Sequence, residues 1–475
     1  MSIALKFNGV VQEQISISWK KVNVVAESDV CCGLFPPTER ELIHDGKPFG
    51  NNGAFLMQFA VSGEAKCGRL LAIMGSSGAG KTTLLSAISG RQVDGLDVDG
   101  IFGINGYTTN LRTIQSVSAF VPQDDIFLSN LTVAEHLNYQ LDLQKCLNVY
   151  IGGLRRKGIS GGEKKRVAVA SEIIGCPPVL FLDEPTSGLD LHIAEKIVTL
   201  LRKLCAGGST IICTIHQPSS QMFHQFDDLL LLSEGRVAFL GTLGDAQTFF
   251  GRQGADIPLR YNPIDVYIKM LAIDSNDYHN CIERSEEICY AFESSEFREL
   301  IYIDRKPVKL NALDFRSSNW TQFTVIMRRT FVNNWREQMY GASLIQDFIA
   351  AFIFSLIVGR QEINQTAVKN INGTLYFLIL MLTFQLCFLE IRSFYEELPL
   401  IKRELESGIY SATLGFWGYV IAQLPHQLLS VLLFTVIVYI NVGFGAYFTR
   451  FCNYILTAVL YSQAVISFTY LFRNF

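Results

Sequence analysis

The chain has 475 residues, 49% of them apolar and 18% charged, with 40 Lys and Arg against 44 Asp and Glu for a net charge of -4. Soluble globular chains carry nearer about 25% charged residues, so an intrinsically disordered chain is excluded, and a slightly acidic one offers no basic field to a nucleic-acid backbone. None of the eleven cysteines forms a C-x-x-C pair or a zinc-like spacing with His, which argues against a disulfide scaffold or a zinc module and for reduced, buried thiols.

The charges are unevenly spread. Only 14 of the charged residues fall between Tyr340 and Phe475, and the rest crowd the front of the chain. A soluble, charged region followed by an apolar one is the pattern of a cytosolic domain joined to a membrane domain. The opening MSIALKFNGVVQEQ has no apolar core run, so no signal peptide is expected and insertion rests on internal segments.

In chain order, Ile15–Val25 alternates polar and apolar residues as an edge strand would, and Cys31–Asn52, rich in Gly, Pro and charge, reads as a loop. The run RLLAIM (Arg69–Met74) is a buried strand that feeds straight into GSSGAGKTT and then a helical LLSAIS. Further buried strands are Val179–Leu182, Thr210–Ile215 and Leu229–Leu232, with Arg236–Leu240 a fifth candidate. Strands alternating with helical stretches predict a mainly parallel sheet whose ligands collect at the carboxyl ends. The expected fold is an α/β P-loop nucleotide-binding domain followed by an all-α transmembrane helical domain. Its parts are a cytosolic region over 1–270, a linker over 271–320, an amphipathic connecting helix over 321–339 and a membrane region over 340–475. Arg328, Arg329 and Arg336 give the connecting stretch a basic character suited to a membrane surface. Four apolar segments, 343–359, 373–391, 413–440 and 454–472, each suffice for one crossing at about 20 residues apiece.

Two motifs carry chemistry. Gly75-Ser76-Ser77-Gly78-Ala79-Gly80-Lys81-Thr82 matches G-x-x-x-x-G-K-[ST]. The loop's backbone N–H groups can cradle phosphates, Lys81 can reach the β- and γ-phosphates, and the Thr82 hydroxyl, with Thr83 beside it, can hold Mg²⁺. Asp183 and Glu184 end the apolar run Leu180-Phe181-Leu182, where Asp183 suits the hydrated Mg²⁺ and Glu184 suits a general base for water.

With Ser160-Gly161-Gly162 between these motifs, the chain resembles the ATP-binding cassette (ABC) transporters. Ser160-Gly161-Gly162 is similar to their signature, Gln123 to the Q-loop glutamine, Ser187-Gly188-Leu189-Asp190 to the D-loop and His216 to the switch histidine. The cassette-first order, HQPSS, Tyr261-Asn262-Pro263, Asn370-Ile371-Asn372-Gly373 and Glu397-Leu398-Pro399-Leu400 resemble the white (eye-pigment) branch of the G-subfamily half-transporters. The resemblance implies ATP and Mg²⁺ as cofactors. It implies Glu184, His216 and Gln123 as catalytic residues, and Thr82, Gln123 and Asp183 at the metal. The loop residues 75–83, Ser160, Gly161, Gly162 and Asp190 would bind nucleotide across a sandwich of two cassettes. It also implies a second half-transporter as homo- or heterodimeric partner, contact with membrane lipid, and a small or lipophilic cargo: a pigment precursor, sterol, lipid or xenobiotic. No nucleic-acid partner is expected, and the plasma membrane is the expected location, with a vesicle membrane as the alternative.

Polar residues inside the apolar segments, Asp347, Gln385, Glu390, Gln423, His426 and Gln463, either line a substrate path or act as hydrogen-bonding glue between helices. Glu396–Tyr410 reads as a polar coupling element facing the cytosol, and Asn364-Gln365-Thr366 as a sequon on the far side. Two departures from the family pattern stand out: a short interval between Gln123 and Ser160, and a chain that stops after four apolar segments where the family has six. They suggest a truncated form, and with it the alternative of a non-transporting chain that dimerises with complete halves and restrains them.

Overall fold

The computed structural model describes residues 14–26, 55–91, 96–123, 127–128, 130–136, 160–174, 177–258, 261–273, 277–298, 301, 303–307, 318–361, 365, 368–444 and 447–471. The expected loop at 31–52, the short interval between residues 137 and 159 and Asn364 of the sequon lie outside them. The chain forms two compact units. One comprises residues 1–125 and 160–314, the other residues 126–159 and 315–475.

The first unit holds two sheets. One contains β3 (Leu70–Gly75), β6 (Ser118–Val121), β7 (Val179–Leu182), β8 (Thr210–Thr214), β9 (Asp228–Ser233) and β10 (Arg236–Thr242), in the order β10-β9-β3-β8-β7-β6. The strands β9, β3, β8, β7 and β6 are parallel neighbours, and only β10 runs antiparallel, at the edge. LLAIMG, VLFL, TIICT and DLLLLS are buried at every position. Strands covered on both faces have no reason to alternate, which is why they read as unbroken apolar runs.

The second sheet has the order β11-β5-β4-β1-β2, with β1 (Ile17–Ala26), β2 (Phe55–Ala65), β4 (Leu96–Ile104), β5 (Tyr107–Thr109) and β11 (Asp304–Pro307). The stretch expected as an edge strand is therefore an interior one, paired antiparallel to β2 and to β4. Its alternation marks one buried face, with Ile17, Trp19, Val22 and Val24 in the core, and not a free edge. The register shifts near Lys21, whose φ of 53° marks a bulge in the strand.

Part of the expected linker at 271–320 is a sixteen-residue helix, Tyr278–Glu293. It buries Cys281, Ser285, Ile288, Cys289 and Phe292, spaced as one helical face. Phe292 packs on Phe239 of β10 at a ring separation of 5.6 Å, so this segment belongs to the core of the first unit.

The second unit is helical: Asn319–Arg336, Gln338–Val358, Val368–Glu406, Ala412–Val442 and Phe448–Leu471. Among the described residues four helices are long and apolar enough to cross a membrane: Tyr340–Val358, Val368–Phe388, Ala412–Val442 and Phe448–Tyr470. They start three to six residues before the expected segments, except the third, which starts one residue earlier. Ala351, Phe354, Leu378, Leu382, Phe434, Val438 and Val442 form their inner core. Ile357, Phe384 and Phe388 face outward, as lipid-facing residues do.

The stretch expected as a coupling element, Glu396–Tyr410, is for the most part the end of the Val368–Glu406 helix, with Pro399 inside it. The Asn319–Arg336 helix does not bury an apolar stripe. It buries Gln322, Ile326, Arg329, Thr330, Asn333 and Asn334. Part of that polar face is met from within the unit: Arg329 donates to Glu404 at 2.5 and 2.8 Å, and Asn333 donates to Glu397 at 2.9 Å. A basic stripe thus meets carboxylates as well as facing outward. Residues 130–136 pack in the same unit, where Leu128 and Leu131 meet Leu400.

Of the polar residues within the spans, most bond across helices. Asp347 accepts from Ser430 at 2.5 Å and from Gln385; Glu390 accepts from Gln427 at 2.7 Å and Tyr470 at 2.9 Å. Tyr340 donates to Gln423 at 2.6 Å, and His426 lies 3.0 Å from the Ser343 hydroxyl. Such bonds hold transmembrane helices in register at about 0.6–2 kcal/mol each.

Candidate functional site

The parallel order β3-β8-β7-β6 explains how residues far apart in sequence meet. The carboxyl ends of these four strands lie side by side. They carry, in that order, the glycine loop, His216, Asp183 with Glu184, and Gln123.

The loop runs from Gly75 to Gly80 and opens the helix Lys81–Ser89. Gly75 has no room for a side chain, since a Cβ there would stand 2.4 Å from the Leu232 carbonyl oxygen. Gly80 caps the helix at φ 88°, ψ 21°, a left-handed conformation that glycine adopts without strain. Ser77 and Gly78 are exposed at the tip, and Ala79 is buried beneath it. Lys81 is buried, and its amine donates to the carbonyls of Gly75 and Ser76 at 3.1 and 2.8 Å. Burial lowers its pKa, against the opposing pull of Glu184 and Asp183.

Asp183 is almost wholly buried. One of its oxygens accepts from Thr82 at 3.1 Å and from Thr214 at 2.6 Å. Burial raises its pKa; those two hydrogen bonds lower it less than burial raises it. The Thr214 hydroxyl also accepts from the Glu184 backbone N–H at 2.8 Å, so a single side chain on β8 fixes both acidic residues that follow β7. Glu184 holds φ 42°, an uncommon conformation for a non-glycine residue that costs on the order of 1–3 kcal/mol and clusters at working sites. Gln123 donates from its side-chain amide to the Glu184 carboxylate at 3.0 Å. Thr82, Asp183, Glu184 and Gln123 are therefore linked by hydrogen bonds through Thr214, and the Lys81 charge lies within reach of both acids.

The other expected residues stand apart from it. His216 is exposed just beyond β8, beside Gln217 at φ 44°. Ser160, Gly161 and Gly162 start the helix Gly161–Ile174, where Ser160 and Glu163 bond reciprocally as a capping box. Asp190 is exposed at the start of helix Leu191–Ala206. Among the described residues no hydrogen bond joins these to the Asp183 neighbourhood. The Asp190 start carries no side-chain cap, and N–H groups at a helix start can meet an anion.

Two functional candidates escaped the sequence reading. Thr214 looked like one more residue of a buried strand. Lys165 was assigned no role, yet it is buried, and its amine donates to the Pro122 and Gln123 carbonyls at 2.9 and 2.7 Å.

Comparison with known proteins bears on both units. The family description "ABC transporter" matches residues 59–187, and "ABC-2 type transporter" matches residues 321–474 and 216–286. A description of an AAA domain overlaps residues 155–220. Protein white of Drosophila melanogaster is 38% identical over 447 residues, covering 86% of this chain and 65% of its own length. The ABC transporter ATP-binding protein/permease wht-1 of Caenorhabditis elegans is 34% identical over 455 residues, covering 86% of this chain and 68% of its own. The chain thus spans just under two thirds of the length of white. A solved ATP-binding cassette, dimeric and bound to ADP and phosphate after hydrolysis, is 21% identical and covers 48% of this chain and 98% of its own, at a TM-score of 0.36.

Proposed function

The chain belongs to the ABC transporter family, in the branch that includes white, and on that premise we propose that it is the ATP-hydrolysing, membrane-spanning half of a dimeric transporter. The observation that carries the proposal is the meeting of Lys81, Thr82, Asp183, Glu184 and Gln123 at the ends of adjacent parallel strands, in a chain that continues into four apolar helices.

The residues present fit ATP with Mg²⁺. The Thr82 hydroxyl and the buried Asp183 carboxylate, 3.1 Å apart, are hard oxygen donors of the type that Mg²⁺ prefers. When bound, the metal would neutralise charge on the phosphates. The chain's own groups do the remaining work. Lys81 exchanges its two loop carbonyls for phosphate oxygens, and the loop amides and helix start receive the rest of the negative charge. Glu184, placed by Thr214 and by Gln123, accepts the proton of the attacking water. His216 would contact the γ-phosphate from the same side. Ser160, Gly161, Gly162 and Asp190, at two helix starts, serve the nucleotide held by a second copy or a related half. That division of labour accounts for their separation from the Asp183 neighbourhood.

Closure and reopening of the paired cassettes would move the attached helices and alternate access across the membrane. The cargo is proposed as a small or lipophilic molecule, and the plasma membrane as its site. The test is ATP hydrolysis by the whole chain in lipid, beside Glu184→Gln. Turnover that Glu184→Gln abolishes supports the reading; turnover equal in both chains overturns it.

A further inference from the structure

Lys165 sits in the run Ser160-Gly161-Gly162-Glu163-Lys164-Lys165-Arg166, one turn into the helix that Ser160 begins. Its neighbours Lys164 and Arg166 differ from it in kind. Arg166 pairs with Glu163 on the exposed side, with both side chains about half accessible. Lys165 is only 3% exposed. A lysine is almost never buried unless its charge is met, and here the amine is met by two carbonyl oxygens on consecutive residues, Pro122 at 2.9 Å and Gln123 at 2.7 Å. The same short segment is held from the other side, where the Asp183 N–H donates to the Val121 carbonyl at 2.9 Å. Gln123 then reaches Glu184 through its side chain.

We infer that Lys165 is a positioning residue for hydrolysis: it ties the helix carrying Ser160, Gly161 and Gly162 to the backbone of Gln123, and so sets where Gln123 holds Glu184. The inference rests on the proposed ATPase reading and deepens it. It gives the signature helix a second role inside its own cassette. A shift of that helix when it meets a partner's nucleotide would be passed through the Lys165 side chain to the Gln123 backbone, and with it to the base at the chain's own nucleotide. The two sites of a dimer would then be linked through a hydrogen-bonded connector inside each copy. Three elements are joined end to end: the helix Gly161–Ile174, the residues following β6, and the residues following β7.

The test uses the full chain in lipid with Lys165→Met, Lys165→Arg, Gln123→Ala and the Lys165→Met/Gln123→Ala pair. The expected result for Lys165→Met is a kcat lowered about 10- to 100-fold with KM for ATP within about twofold, the pattern of an interaction needed beyond ground-state binding. Lys165→Arg, which keeps a cationic donor, recovers part of the loss. The double variant is no worse than the poorer single one, because both changes act on one connection. An unchanged kcat in Lys165→Met, a rise in KM alone, or losses that multiply in the double variant each overturn the inference. If Lys165→Met fails to bind a fluorescent ATP analogue, Lys165→Gln carries the same test, and loss of binding in both shows a role in folding and overturns positioning. Failure of the ATPase reading is read separately, from wild type against Glu184→Gln. In that event faster amide exchange at Val121 and Gln123 in Lys165→Met still supports the tie, and unchanged exchange overturns it.

Discussion

Arg336 donates two hydrogen bonds to Glu135, at 2.6 and 2.8 Å, and so clamps the end of the connecting helix onto a stretch that follows Gln123 closely in the chain. Glu135 also accepts from the Thr132 N–H and hydroxyl at 3.0 and 3.1 Å, which closes the turn over 132–136. Both side chains are a little under one third accessible. A two-pronged Arg–carboxylate pair of this kind is stronger than an ordinary surface pair, on the order of 1–2 kcal/mol. Arg336→Ala is therefore expected to speed amide exchange at Val133–His136 by about five- to tenfold while leaving the apolar spans unchanged. Exchange rates that do not differ from wild type would mean the clamp contributes nothing in solution.

A second pair, deeper in the same unit, sets a larger effect. Arg329 and Glu404 are both buried and bonded through two contacts, and Tyr410 donates a third bond to Glu404 at 2.8 Å. Burial pushes the Glu404 pKa up, but Arg329 and Tyr410 outweigh it and hold the carboxyl below its usual range. Removing one partner strands the other charge. Arg329→Met is expected to destabilise the helical unit by about 3–5 kcal/mol, and Arg329→Met/Glu404→Leu to recover much of that loss. Thermal unfolding in detergent checks the comparison: a double variant as unstable as the sum of its singles would show that the two residues act independently.

What the sequence reading found and missed divides along contact distance. The glycine loop could be found because its eight residues are consecutive and their backbone does the work. Asp183 and Glu184 could be found because an acidic pair after four apolar residues is a local pattern. Thr214 could not, because its role exists only where β8 lies against β7, a pairing that no local spacing encodes. Lys165 was hidden for a related reason. Its helix reads as charged, and nothing in SGGEKKR says which Lys faces the β6 end. The second sheet was largely invisible, since β4 (LDVDGIFGI) keeps its alternation only over its first residues and β2 lies far from its partner β1 in sequence. Hydropathy misled on the connecting helix for the opposite reason: its buried face is polar, and Arg329 and Asn333 belong inside because Glu404 and Glu397 are there to meet them.

The Thr214 hydroxyl offers a test of the site that leaves every expected catalytic residue unsubstituted. It donates to Asp183 at 2.6 Å and accepts from the Glu184 N–H at 2.8 Å. Thr214→Val keeps shape and volume but leaves that N–H unpaired and frees the carboxylate to turn. ATP turnover is expected to fall about 10- to 100-fold, as for other partners that orient a metal-binding or catalytic carboxylate, while Thr214→Ser retains most of it. Steady-state hydrolysis of the three chains side by side is the measurement, and equal rates for valine and threonine would remove Thr214 from the machinery.

Two buried groups in the helical unit respond to pH with opposite sign. Burial raises the Glu397 carboxyl to about 7, against the pull of Arg329 and with a push from Glu337. Burial lowers His136 to about 4, helped by Arg329 and Arg403 and opposed by Glu404. For Glu397 the folded chain binds a proton more tightly than the unfolded one. Its contribution is full below the unfolded value of 4.5 and is lost as pH rises to about 7. For His136 the folded chain binds the proton less tightly. Stability is full above the unfolded value of 6.5 and falls as pH drops toward about 4. Between these limits the two slopes, each up to about 1.4 kcal/mol per pH unit, largely cancel in the wild type. Glu397→Gln, which keeps a neutral hydrogen-bonding side chain against Asn333, is expected to remove one slope and expose the other. Its unfolding midpoint should rise relative to wild type near pH 8 and drop steeply from pH 6.5 to pH 4.5. Denaturant melts of both chains at several pH values decide it, and parallel curves would show that Glu397 does not titrate in this window.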